Sequence, residues 1–152
     1  MEHKVKIMDP DQLIPQLLAL LEDTPSVPLM VSGNSMIPFL HHGRDTVYLS
    51  KLTGSPQRGD IVLYRRDSGN YILHRVYETD GVFFTMIGDG QVSLEPEIRS
   101  DQLLAIVNSV RRNGKLLKKG DPCWAFYEKW WLRLLPLRPR ILGICSRIQH
   151  LF

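Results

Sequence analysis

The middle of the chain alternates apolar and polar residues with a period of two, while both ends carry apolar residues at helical spacing. Asp45 to Leu49 sets Val47 and Leu49 against Thr46 and Tyr48, and Ile61 to Tyr64 follows the Arg58-Gly59-Asp60 turn; each reads as a strand. In Tyr71 to Val76, the residues Ile72, His74 and Val76 share one face and Tyr71, Leu73 and Arg75 the other. Arg65 to Asn70 and Asp80-Gly81 are turn sequences that join this strand to its neighbours, the second leading into Val82 to Ile87. Gln91 to Ser100 is polar and proline-bearing and is expected to be a loop. Leu103 to Val110 resumes the strand pattern, and Asn113-Gly114 predicts a tight hairpin into Lys115 to Leu117. Short strands joined by tight turns predict a mainly β fold built on a coiled antiparallel sheet.

At the N-terminal end, Asp9 can cap a helix that has Pro10 in its first position and Leu13, Ile14, Leu17, Leu20 and Leu21 on one stripe. At the other end Asp121-Pro122 repeats that signature. Trp124, Tyr127, Trp131, Leu134 and Leu135 then fall on one face, and after Pro136 and Pro139 a second stripe runs through Ile141, Ile144, Cys145, Ile148 and Leu151. Three segments follow: an N-terminal helix and lead-in over 1–28, a β domain over 29–120, and amphipathic helices over 121–152.

The chain has 152 residues, 43% of them hydrophobic, which suits one globular domain with a real core. Its formal charge of +3 is unevenly placed, because Arg111, Arg112, Lys115, Lys118, Lys119, Lys129, Arg133, Arg138, Arg140 and Arg147 all lie in the last third. Basic helices that also carry tryptophan can lie in a membrane interface or pack against the β domain, and the sequence favours neither. Neither C-terminal helix has the ~20 apolar residues a bilayer crossing needs, and the first 23 residues hold no apolar core of a secretory signal. A cytoplasmic or peripheral-membrane location is expected. Cys123 and Cys145 lack metal-ligand spacing and read as reduced thiols, and His41-His42 beside Asp45 lacks further ligands, so no metal and no cofactor is predicted. Basic residues interleaved with aromatics at helical period, without a recognisable binding motif, argue against nucleic acid as a partner. The sequence leaves the oligomeric state open.

Candidate chemistry begins at Val31 to Pro38, where a polar, glycine-bearing turn interrupts an apolar stretch and leaves Ser35 at its tip. Gly33 lets the backbone approach a substrate closely, and such a turn suits a nucleophile whose own N–H faces the oxygen of an attacked carbonyl. Plain turns have the same composition, so a partner is required. His74, on the apolar face of its strand, is either a satisfied core histidine or a general base. Asp89, in Gly88-Asp89-Gly90, is either the group that orients His74 or a cap on its own turn.

The order SGNSMIPFL, DTVYLSK, RGDIVLY, YILHRV and FTMIGDG resembles the successive sequence boxes of the signal peptidase I family, over roughly Leu29 to Val110. Gly33-Asn34-Ser35-Met36 is also similar to the serine turn of the self-cleaving repressors of the same peptidase clan. The resemblance implies Ser35 as nucleophile and, because histidine stands where bacterial members have lysine, a Ser-His pair of the archaeal and endoplasmic-reticulum type. It further implies Asp89 as the acid and an oxyanion site made by the Ser35 N–H with a donor among Ser32, Gly33 and Asn34. The expected activity is hydrolysis of a leader or pro-segment of another polypeptide through an acyl-enzyme. Two other classes stay open: a self-cleaving regulator and a non-catalytic peptide-binding or scaffold module.

Overall fold

The computed structural model describes residues 9–149, leaving aside the side chains of residues 148 and 149. Helix α1 (Pro10–Leu20) starts where expected: the Asp9 side chain accepts the Asp11 N–H, and Pro10 occupies the first turn. Eight strands follow: β1 (Val27–Met30), β2 (Thr46–Ser50), β3 (Ile61–Arg65), β4 (Tyr71–Thr79), β5 (Phe83–Ile87), β6 (Glu95–Arg99), β7 (Leu103–Arg112) and β8 (Lys115–Lys118). They form one open antiparallel sheet in the order β1-β2-β7-β3-β4-β5-β6, with β8 added to β7. The fold is mainly β, with one N-terminal helix and further helices at the C-terminal end.

Two strands depart from the sequence reading. β1 precedes the serine turn, and β6 lies inside the stretch expected to be loop. β6 escapes the alternation rule because it carries Pro96 and holds Glu97 at φ 64°. The Asn113-Gly114 hairpin is as expected: both residues have positive φ, 51° and 80°, the geometry of the tight turn that joins β7 to β8.

Side chains pack in two clusters on the sheet. The larger gathers Met36, Phe39, Leu40, Val47, Leu49, Ile61, Leu63, Val107 and Val110 with Ile14 and Leu21 from the N-terminal end and Trp124, Tyr127 and Trp131 from the C-terminal end. The smaller comprises Val62, Tyr64, Val76, Phe84, Met86, Ile98 and Leu103. β3 contributes to both, Ile61 and Leu63 to one and Val62 and Tyr64 to the other, as alternation along a doubly covered strand requires.

The C-terminal chain runs through α2 (Pro122–Ala125), a π turn (Phe126–Trp130), α3 (Trp131–Arg133) and a 3₁₀ turn (Leu135–Leu137) into α4 (Arg138–Gln149). Asp121 does not cap α2 with its side chain; its carboxylate accepts the Lys118 N–H at 2.8 Å instead. Trp124, Trp131 and Leu132 are buried, so this part of the segment read as 121–152 packs on the sheet. α4 is different: Ile141 and Leu142 pack partly on the core while Ile144 is 57% exposed, and Leu151 of the expected stripe lies outside the described residues. The first eight residues of the 1–28 segment also lie outside them. Among the described residues no helix is long and apolar enough to cross a membrane.

Candidate active site

The serine turn is fixed from below and open above. Met36, Phe39 and Leu40 are buried to 2% exposure or less, and burying each is worth about 1.5–3 kcal/mol. Asp45, itself fully buried, accepts the His41 N–H at 2.8 Å and the Asn113 N–H at 3.3 Å, and pairs with Arg44; this closes the loop in which the turn sits. Ser35 is half-buried at the surface of this platform, with Ser32, Gly33 and Asn34 exposed beside it.

Of the expected oxyanion donors, Gly33 is already engaged: its φ is 80°, and its N–H donates to His42 Nδ1 at 2.8 Å. The N–H groups of Ser32, Asn34 and Ser35 have no acceptor among the described residues. They are the donors left to face a substrate oxygen.

His74 lies on β4, opposite Val62 and one residue along from Arg75, which faces Ile87 of β5. Gly88 directly follows Ile87, the partner of the residue next to His74. Gly88 in turn touches the serine turn, since a Cβ there would collide with the Ser35 carbonyl oxygen, and the Gly90 N–H donates to that same oxygen at 2.9 Å. Thus the 88–90 turn joins the two motifs that the sequence singled out. No hydrogen bond joins Ser35 Oγ to His74, whose Nδ1 faces Tyr64.

The imidazole is buried, at 2% exposure, and its Nδ1 lies 3.2 Å from the Tyr64 hydroxyl. That hydroxyl donates its single proton to Glu95 at 2.8 Å, so the network assigns the remaining proton to Nδ1, which donates to the Tyr64 oxygen. Nε2 is left with its lone pair. It has no hydrogen-bond partner among the described residues. Burial holds the imidazole far below its usual value, at about 4, with Glu95 opposing and Arg66 assisting that shift. At neutral pH the ring is uncharged and able to accept a proton.

Glu95 stands in β6 and is gripped by Arg66 through two bonds of 2.8 Å. That bonding keeps its carboxyl below the ordinary range. Burial, then the adjoining carboxylate, pushes the Tyr64 phenol well above its usual value, so it stays protonated.

Asp89 occupies a different place from the one expected. Its side chain is fully buried and both oxygens accept from Arg75, Oδ1 from Nε at 2.9 Å and Oδ2 from Nη2 at 2.8 Å. No hydrogen bond joins Asp89 to His74; the orienting position on Nδ1 belongs to Tyr64. Alternation explains the split, since His74 and Arg75 are adjacent on β4 and point to opposite faces.

Tyr64, Arg66, Arg75 and Glu95 escape a reading by motif. Tyr64 was findable: a hairpin centred near Ser68 pairs Tyr64 with Ile72, which makes it a diagonal neighbour of His74.

A cleft of about 610 Å³ adjoins this network, lined by Arg66, Gly90, Gln91, Val92, Ser93, Leu94, Glu95 and Pro96, with Val92 and Leu94 exposed along it. A second, of about 550 Å³, lies between Leu21, the 50–56 segment, Asp60 and Asn108, and contains none of the candidate residues. Among the described residues no group of His, Cys, Asp or Glu is placed to hold a metal. The sequence matches no family model, no curated protein and no solved structure.

Proposed function

We propose that this protein is a serine endopeptidase of signal-peptidase type, acting on an extended segment of another polypeptide, with Ser35 as nucleophile and His74 as general base. The observation that carries the reading is the hydrogen-bonded row that runs from His74 Nδ1 through the Tyr64 hydroxyl to Glu95, an arrangement that fixes the ring and leaves Nε2 for Ser35.

In this mechanism Nε2 takes the proton of Ser35 Oγ as the oxygen attacks the peptide carbonyl. The Ser35 N–H and one of its neighbours, Ser32 or Asn34, receive the developing oxyanion. Nε2 then returns the proton to the leaving amine, which departs as the C–N bond breaks. Water, deprotonated by the same nitrogen, hydrolyses the ester. Tyr64 and Glu95 keep the imidazole in the useful tautomer and stabilise its transient positive charge, the task that Asp89 was expected to perform. The cleft beside Gly90, with Val92 and Leu94 along it, suits the side chains of an extended apolar segment.

The test is acylation by a reactive serine-directed probe, read by intact mass. A single adduct on the wild type, absent in Ser35→Ala and strongly reduced in His74→Ala, supports the peptidase. No adduct on any of them favours the peptide-binding module.

A second element of the reading concerns a membrane surface. After Glu128 the described chain has no acidic residue, while Lys129, Arg133, Arg140 and Arg147 are basic and Trp130, Leu137 and Ile144 are exposed to between 49 and 57%. Arg133 stacks on Trp130 at 5.5 Å. Basic residues with exposed apolar side chains between them fit peripheral contact with anionic lipid. Co-sedimentation with vesicles containing phosphatidylserine, absent for neutral vesicles and lost in Trp130→Ala/Arg133→Ala, is the expected result; equal recovery with and without vesicles sinks it.

A further inference from the structure

The turn that joins Ser35 to His74 is held from behind by the C-terminal helices. Trp131 Nε1–H donates to the Asp89 carbonyl at 2.9 Å. Arg138 Nη1 donates to the carbonyls of Gly88 at 3.2 Å and Gln91 at 2.9 Å, while its Nη2 donates to Trp131 O at 3.1 Å and its guanidinium lies over the Trp131 ring at 5.0 Å. Arg138 is completely buried and has no ion-pair partner among the described residues, where Asp89 is taken up by Arg75. Burying a cation is costly, and a residue whose task was to fill space would be apolar.

One peptide group carries the connection. The Asp89 carbonyl that accepts from Trp131 and the Gly90 N–H that donates to the Ser35 carbonyl belong to the same peptide plane. An indole N–H, a peptide and the serine carbonyl therefore form a single hydrogen-bonded chain, in which each bond polarises the next. Glycine at 88 and 90 permits this approach. A Cβ on Gly90 would stand 2.7 Å from the Ile37 carbonyl oxygen, so a side chain there would prise the two turns apart.

We propose that Trp131 and Arg138 are positioning residues for Ser35, acting through the backbone of residues 88–91, so that the C-terminal helices are part of the peptidase machinery and not an appendage to it. The inference rests on Ser35 being the nucleophile. Neither residue touches substrate. What they set is the position of the serine turn, and with it the direction of the Ser35 N–H and Oγ relative to His74 Nε2.

The experiment compares Trp131→Phe, which keeps the ring and removes the donor, and Arg138→Lys, which keeps the charge and loses the paired contacts, with Trp124→Phe. Trp124 is equally buried one helical segment earlier, and its indole makes no hydrogen bond to the turn. Two quantities are read on folded protein: the maximal rate of Ser35 acylation with its half-saturating probe concentration, and hydrogen exchange at the Gly90 amide and across 35–40. The expected result is a fall of about tenfold or more in maximal acylation rate for Trp131→Phe and Arg138→Lys, with half-saturation and the acid limb of the pH profile unmoved, and faster exchange at Gly90. Trp124→Phe should change either readout by less than about twofold, whatever it does to melting temperature. Trp131→Phe indistinguishable from Trp124→Phe in both readouts overturns the proposal. If the wild type is not acylated, the peptidase reading fails and this proposal falls with it; faster exchange at Gly90 in Trp131→Phe than in Trp124→Phe would then show only that the indole braces the backbone of residues 88–91.

Discussion

Asp89 and Glu95 are each tied to strand β4, Asp89 through Arg75 and Glu95 through Tyr64 and His74, and each is gripped by an arginine; they differ in what else they touch. Asp89 and Arg75 have no exposed side-chain surface, whereas Arg66 and Glu95 are 37% and 27% exposed. Asp89 closes on Arg75 in the larger core and makes no bond toward the histidine. Glu95 holds Arg66 and still receives the Tyr64 hydroxyl, which brings its charge to bear on His74. The lesson is that sequence proximity to a motif does not assign a carboxylate its role; the second partner does. A buried pair whose valences close on each other holds the fold, and a half-open pair with a proton donor between it and the base can tune chemistry.

The difference should appear first in stability. Asp89→Ala leaves Arg75 buried without its counter-charge and should cost about 3–5 kcal/mol in urea unfolding, against about 1 kcal/mol for Glu95→Ala, whose partner can reach solvent. Equal losses would erase the distinction.

Next in size is the response to acid. His74 binds protons less readily when folded, its value falling from 6.5 to about 4, so the folded state gives up no stability to this group above pH 6.5. As pH drops from 6.5 toward 4 the unfolded chain takes up the proton first, and stability falls. At about 1.4 kcal/mol for each tenfold change in proton affinity, the loss approaches about 3 kcal/mol by pH 4. Comparing wild type with His74→Gln by thermal melts across that window isolates it; parallel curves would contradict it. The same value sets the acid limb of the acylation rate near pH 4.

Tyr64→Phe tests the relay. It removes the acceptor of Nδ1–H, so the neutral ring no longer has a fixed tautomer, and acylation should fall about tenfold to a hundredfold, equivalent to about 1.4–2.7 kcal/mol of barrier. The smallest effect belongs to Glu95→Gln, which keeps an acceptor for the hydroxyl and removes the charge: a loss of about threefold to tenfold in rate, with little change in melting. An Asp89→Asn variant that stays folded and loses more activity than Glu95→Gln would reverse the two assignments.

Much of the fold was legible because strand alternation and turn chemistry are local. Val47 against Tyr48, His74 against Arg75, and Asn113-Gly114 announce their strands and hairpin without reference to anything distant. Ser35 and His74 were legible for the same reason, each sitting in a short motif. Glu95 was not, because its strand carries a proline and a residue of positive φ and reads as loop; without β6 nothing brings residue 95 to residue 64. Arg138 was hidden differently. In the chain it is one of several basic residues on an amphipathic stretch, and its burial depends on carbonyls fifty residues away.

The sheet is open, and the strands at the two ends of its seven-strand path each contain a proline, Pro28 in β1 and Pro96 in β6, while the side strand β8 begins and ends with lysine. Each proline deprives its edge of one N–H where another copy of the chain would seek to pair, and β1 is only four residues long. Interrupted rims at β1 and β6, and lysines at both ends of β8, disfavour the edge-to-edge pairing by which a β-rich chain builds fibres. Replacing either proline with a strand-forming residue such as Thr would complete a row of donors and acceptors and give self-association a template.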